Sequence, residues 1–255
     1  MLGAIIGDIA GSLYEGRPHK SKDFPFFGPG ADFTDDTVCT IAVADALLHD
    51  KPPADALYQW CTRYPGRGYG GMFARWLRAW QRRPYGSFGN GAAMRVSPAG
   101  LLGATLDEAL QMARWVTDVT HDHPEGVNGA AATVHAIFLA RAKAGADEIR
   151  AAIAADYDYN LARTVDEIRP GYQFDITCQG TVPEALICAL EAEDFEDAIR
   201  NAISLGGDAD TLAAIAGGVA EARFGIPANL AKEGRSRLPG DMNRVLDELY
   251  GRAAK

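Results

Sequence analysis

The stretch Gly3-Ala-Ile-Ile-Gly-Asp-Ile-Ala-Gly11 decides how the rest of the chain is read. Its glycines recur every fourth residue, so on a helix they form one stripe. Each costs a helix roughly 1 kcal/mol against alanine. A stripe of them makes sense only where another backbone packs too close for a side chain to fit. The first helix is therefore expected at the centre of a helical bundle.

Outward from this helix the helical period continues. Val38, Ile41, Ala42 and Leu48 share a face, with Asp45 near its edge. Thr105-Leu-Asp-Glu108 reads as a capping box opening a helix through Leu110, Ala113 and Val116. Val127 to Lys143 carries Val134, Ile137 and Phe138 and stops near Gly145, and Asp147 starts a helix with Ile149 and Ile153. Thr181-Val-Pro-Glu184 reads as a second capping box, with Pro183 in the first turn. Asp194 caps a helix through Ala198, Ile199, Ala202 and Ile203. Leu212, Ile215, Ala216, Val219 and Ala220 mark the next, which ends near Gly225 and Pro227, and Met242, Val245, Leu246 and Leu249 mark the last. Sustained alternation of apolar and polar residues is missing, as are hairpin turns between β-branched runs. The expected fold is all-α, a single compact multi-helix domain over residues 1–255.

Composition narrows the function. With 47% hydrophobic and 23% charged residues the chain is globular rather than disordered. No apolar run approaches 18 residues, so a membrane span is excluded. Asp8 interrupts the apolar start and no basic segment precedes it, which argues against a secretory signal. Cys39, Cys61, Cys178 and Cys188 form neither a CxxC pair nor a Cys/His ladder. They are read as reduced core cysteines of a cytoplasmic, monomeric protein. A net charge of −9 argues against general affinity for nucleic acid. Between Asp55 and Asp107, however, there is no acid, and the segment holds Arg63, Arg67, Arg75, Arg78, Arg82, Arg83 and Arg95. Phe73, Trp76, Leu77 and Trp80 are expected to face inward there, with Arg75, Arg78 and Arg82 outward. The arginines are either a solvated face or a place for an anionic partner, nucleic acid included.

Two segments stand out chemically. Phe33-Thr34-Asp35-Asp36-Thr37 and Gly206-Gly207-Asp208-Ala209-Asp210-Thr211 each put two carboxylates and a hydroxyl at a helix start. Capping accounts for one Asp per helix, not two. If the segments meet, four aspartates converge, and a divalent cation relieves the repulsion. Oxygen-only ligands suit Mg²⁺ or Mn²⁺ rather than zinc. A glycine-rich stretch, Tyr85-Gly-Ser-Phe-Gly-Asn-Gly-Ala-Ala-Met-Arg95, can bring backbone N–H groups to a phosphate, and Phe88 can stack on a base. Thr120-His121-Asp122-His123 is open to two readings, a capped helix start or the dyad of an HD-type metal phosphohydrolase.

In this order the motifs resemble the ADP-ribosylglycohydrolase family. The resemblance runs from Gly3-Ala-Ile-Ile-Gly-Asp-Ile-Ala-Gly-Ser-Leu-Tyr-Glu15 through Thr34-Asp-Asp-Thr37, Gly89-Asn-Gly-Ala-Ala-Met-Arg95 and Thr120-His121 to Gly206-Gly-Asp-Ala-Asp-Thr211. It implies an all-α hydrolase holding two Mg²⁺ or Mn²⁺ ions. The ligands it implies are Thr34, Asp35, Asp36, Asp208, Asp210 and Thr211, with Asp210 bridging. It also implies that Ser87, Phe88, Gly89, Asn90 and His121 bind substrate, and that Asp36 or Glu15 accepts the proton from water. The implied substrate is an ADP-ribosylated protein, arginine-linked above all, or another ADP-ribosylated acceptor. A non-catalytic ADP-ribose-binding protein is the remaining alternative.

Overall fold

The computed structural model describes residues 1–253. Its helices are α1 (Leu2–Gly11), α2 (Asp35–His49), α3 (Pro53–Arg63), α4 (Gly71–Arg78), α5 (Ser97–Leu102), α6 (Leu106–Thr117) and α7 (Pro124–Arg141). After them come α8 (Ala146–Tyr157), α9 (Val165–Ile168), α10 (Cys178–Glu191), α11 (Phe195–Ser204), α12 (Ala209–Phe224), α13 (Ala228–Ser236) and α14 (Gly240–Ala253). Among the described residues there is no strand, only one isolated bridge between Gly89 and Thr177. None of these helices is long and apolar enough to cross a membrane. The expected domain 1–255 thus extends two residues beyond those described.

All ten residues of α1 are buried. The partner its glycine stripe demands is α12. A Cβ at Gly3 would overlap the Gly217 carbonyl oxygen, and one at Gly7 would overlap that of Ala213. At Gly11 it would lie 2.5 Å from the Asp210 Cα. Gly217 answers from the other side, where a Cβ would strike the Gly3 carbonyl. Backbone against backbone, α1 and α12 form the axis on which the core is built. That contact also lays the C-terminal end of α1 beside the acidic start of α12.

A second tie joins α1 to α2. Asp8 is fully buried, and both its oxygens are occupied. Oδ1 accepts from Thr34 Oγ1 at 2.7 Å. Oδ2 accepts from the N–H groups of Thr34 and Thr37, each at 3.0 Å, and from the Thr37 hydroxyl. A buried carboxylate without partners would be costly, and these four bonds fix where α2 begins. Helix α2 is enclosed nearly all round rather than on one face, with thirteen of its fifteen residues buried. Asp45 is compatible with this because Trp60 Nε1 donates to it at 3.0 Å and Lys51 pairs with it at 2.9 Å.

Helix starts follow the capping residues with one correction. Thr105 caps α6 by accepting from the Glu108 N–H, while Glu108 reaches back to Ala104 rather than to Thr105. Asp194 caps α11. Thr181-Val-Pro-Glu184 does not open a helix. Helix α10 starts four residues earlier, at Cys178 with Thr177 as its cap, and Pro183 lies inside it. Thr181 instead gives its hydroxyl to the Asp175 carbonyl. The Trp80 expectation also fails. Phe73, Trp76 and Leu77 are buried, but α4 ends at Arg78 and Trp80 is 97% exposed. All four cysteines are buried and free.

Candidate active site

The ends of α1, α2 and α12 meet at one cavity of about 470 Å³. Glu15 comes four residues after Gly11, Asp35 and Asp36 from the first turn of α2, and Asp208, Asp210 and Thr211 from the start of α12; all six line it. Carboxylate oxygens of Glu15, Asp208 and Asp210 lie within 4.8 Å of one another. A larger groove of about 730 Å³ runs between α3 and α4, but no carboxylate lines it. The chemistry therefore belongs to the smaller cavity.

Like charges packed together and shielded from water resist ionisation. Burial pushes the Asp36 carboxyl far above its usual range, and the charges of Asp210, Asp8 and Asp35 add to it. Burial does the same to Asp210, reinforced by Asp208. Asp35 is raised to about 7 by burial and by Asp8. Burial and the charge of Asp208 raise Glu15. Asp208 is raised by burial as well, although hydrogen bonds, including one from Asn90, oppose the shift. Asp8, behind them, is raised by burial to about 6 against the pull of its threonine partners. One oxygen of Asp36 is buried and unpartnered. An orphaned acceptor beside three converging carboxylates is the donor set a hard divalent cation requires. The residues fit such an ion.

The opposite wall is the glycine-rich turn. Ser87 Oγ accepts from the Gly89 N–H at 3.2 Å, and the bridge to Thr177 holds the turn through Asn90 N–H to the Ile176 carbonyl (2.8 Å) and Cys178 N–H to the Phe88 carbonyl (2.9 Å). Asn90 donates its side-chain amide to Asp208 at 2.7 Å, tying this wall to the acidic one. His121 lines the cavity and is 95% buried, and burial followed by the nearby Arg95 charge hold its pKa well below the usual value.

Two expected site residues are placed elsewhere. Thr34 does not line the cavity. Its hydroxyl donates to Asp8 and accepts from the Asp36 N–H, so it serves as the N-cap of α2. Phe88 is not among the side chains lining the cavity; it is 44% exposed, with its ring 5.3 Å from that of His123. Apolar surface at the cavity comes instead from Met72, Phe174 and Ile176, each more than half exposed. His123 is the cap of α7. The dyad alternative is not assembled, because Asp122 turns to the Gly86 N–H at 2.7 Å. Arg63, Arg67 and Arg82 pair with Asp241, Asp32 and Asp55, and of the acid-free segment only Arg75 and the buried Arg95 reach the cavity.

Sequence reasoning missed Asp8, Arg95 and Phe174. The signal for Asp8 was a single acid in a helix argued to be central, where every charge needs partners. For Phe174 and Ile176 it was two apolar residues in the polar, non-helical stretch before α10.

The ADP-ribosylglycohydrolase family profile matches residues 1–255. The chain is 26% identical to the ADP-ribosylhydrolase ARH3 of Danio rerio over 98% of its own length and 89% of that protein's. It is 27% identical to the ADP-ribosylarginine hydrolase Tri1 of Pseudomonas putida, covering 99% of this chain and 77% of the other. A solved structure described as an ADP-ribosylglycohydrolase-related protein complex superposes with a TM-score of 0.76, at 25% identity and over 99% and 97% of the two chains. The chain belongs to the ADP-ribosylglycohydrolase family, whose members are glycosidases.

Proposed function

We propose that this protein hydrolyses the glycosidic bond between ADP-ribose and the arginine side chain of a modified protein. The observation that carries this reading is the cavity itself, which has five carboxylates on one wall and a glycine turn with His121 on the other. Asp35, Asp36, Asp208, Asp210, Glu15 and Thr211 would hold two Mg²⁺ or Mn²⁺ ions. Bound there, such ions supply Lewis-acid charge next to the ribose.

The protein groups do the rest. Ser87, Gly89 and Asn90 border the pyrophosphate and adenosine part of the substrate, and His121 borders the ribose. Water adds to the anomeric carbon as the bond to the acceptor nitrogen breaks, through an oxocarbenium-like transition state. Asp36 or Glu15 takes the proton from that water. The acceptor nitrogen takes up a proton as it leaves. Neighbouring carboxylates stabilise the positive charge developing on the ring. Asn90 keeps Asp208 in register with the substrate wall.

The test is release of ADP-ribose from arginine- and serine-linked peptides, with Mg²⁺, Mn²⁺ or chelator. Metal-dependent release from the arginine peptide is expected. Turnover of phosphomonoesters with no ADP-ribose released would overturn the reading. Metal-independent binding of ADP-ribose without release would assign the protein to the non-catalytic alternative.

A further inference from the structure

Arg95 is the largest fully buried side chain, 1% exposed, and no carboxylate among the described residues pairs with it. Its Nη2 donates to Thr120 Oγ1 at 2.6 Å and to the Val116 carbonyl at 3.4 Å, and lies 3.4 Å from His121 Nδ1. Thr120, also fully buried, places the same hydroxyl 2.7 Å from that Nδ1.

Donor counting settles the protons. A guanidinium can only donate. Thr120 Oγ1 therefore accepts from Arg95; its own buried hydrogen has no acceptor in reach among the described residues except Nδ1, so it donates there. Nδ1 faces two donors and must present a lone pair. The ring proton is then on Nε2. That nitrogen bonds no protein acceptor among the described residues, and it lies next to the glycine turn, 3.2 Å from where a Cβ on Gly91 would stand. Protonating Nδ1 as well would set two donors against each other beside a buried cation.

We infer that Arg95, acting through Thr120, is a positioning residue that fixes His121 as the neutral Nε2–H tautomer, a permanent hydrogen-bond donor to a substrate oxygen. His121 then cannot accept the proton from water, and that task falls to the carboxylates. The strongly lowered His121 pKa agrees with this. The substrate half of the inference rests on the function proposed above; the tautomer does not.

Two measurements test it. The first is ¹⁵N NMR of the histidine rings of the intact protein. His121 is expected to show a protonated Nε2 and a bare Nδ1, unchanged from pH 6 to 8, and Arg95→Met is expected to admit the Nδ1–H form because no guanidinium N–H or charge then stands 3.4 Å from Nδ1. A wild-type Nδ1–H ring, or a variant that keeps the single Nε2–H form, overturns the role of Arg95. The second compares His121→Gln, whose amide nitrogen stands in for Nε2, with His121→Asn, which stands in for Nδ1. ADP-ribose binding should stay within about threefold of wild type for Gln and weaken about tenfold for Asn, the span of one hydrogen bond. The reverse order overturns the donor role, even if Arg95→Met fails to fold. Wild-type protein that does not bind ADP-ribose at all would overturn the function reading, while the ring nitrogens still decide the tautomer.

Discussion

Helices α11 and α12 follow each other in the chain, and each has an aspartate at its N-cap position. Asp194 accepts from the Asp197 N–H at 2.8 Å, is exposed, and ends its role there. Asp208 makes no capping bond. It is 94% buried, takes the Asn90 amide at 2.7 Å, and faces Glu15 and Asp210. A cap bond is worth about 1 kcal/mol, and α12 forgoes it at a position where desolvation makes a carboxylate costly. Stability alone selects the arrangement at Asp194, whereas the one at Asp208 needs a further reason. The cation site proposed above supplies one.

The largest effect expected from this contrast is on turnover. Asp208→Asn keeps an acceptor for Asn90 but removes a charge from the cluster. ADP-ribose release should fall at least about 100-fold, which corresponds to about 2.7 kcal/mol in the barrier. In chelator the same variant should melt no lower than wild type, because repulsion is relieved. An active variant that melts lower with and without metal would make Asp208 an ordinary cap.

Next comes the pH dependence of the metal-free protein. Burial raises Asp35 and Asp8 to about 7 and about 6, above the ordinary 3.8, and pushes Asp36 and Asp210 well above that ordinary value too. A group raised in the folded state keeps its proton there while the unfolded chain releases it. Its stabilisation is complete below about pH 4 and is lost as pH rises through the folded value. Each such proton contributes a slope of about 1.4 kcal/mol per pH unit. His121, lowered in the folded state, works the other way up to about its usual 6.5. From pH 6.5 to 8 the buried Met1 ammonium, lowered by burial from its usual 8.0, also works the other way, so the test is the difference between the two conditions: the melting temperature in chelator should fall with pH relative to that in Mn²⁺, where the Met1 contribution is the same. A gap between the Mn²⁺ and chelator melting curves that does not widen from pH 6.5 to 8 would mean the carboxylates do not repel one another as described.

Gly11→Ala tests why α12 begins where it does. The new methyl group would press on the Asp210 backbone. A loss of about 1–3 kcal/mol is expected from overpacking, together with reduced turnover. No comparable neighbour constrains Asp194. Asp194→Ala gives the smallest effect, about 1 kcal/mol from the lost cap, read as a melting temperature lower by about 2–4 °C. Its rate of ADP-ribose release should match wild type. A lost rate would show that α11, too, positions the site.

Much of this was legible in the sequence because it rests on local rules. The Gly3/Gly7/Gly11 stripe led to a buried central helix, and paired aspartates at two helix starts led to one acidic cluster. What stayed hidden depends on contacts between distant segments. Thr181 and Glu184 have capping-box spacing, yet Thr177 already caps α10, so the pattern was present without its setting. Asp8 looked like an interruption until Thr34 and Thr37 were seen folded over it. Phe88 has the right chemistry for stacking, and its place beside the His123 ring, outside the cavity lining, is not written in the local sequence. The arginine segment appeared free of acids only along the chain; in space Asp32, Asp55 and Asp241 come to it.

The contact between α1 and α12 also bears on how the protein is made. The glycine stripe finds its partner only at residues 210–217, some two hundred positions later in the chain. At roughly 5–20 residues per second, synthesis reaches that partner about 10–40 s after α1 has left the ribosome. Throughout that interval an apolar helix, which ends up wholly enclosed, lacks the partner for its glycine face, although α2 is already there to meet Asp8. The acidic site cannot close either, since its two halves arrive with these same segments. Folding of this chain is therefore expected to complete late and nearly all at once, with the N-terminal helix as the segment that a holding chaperone would occupy first.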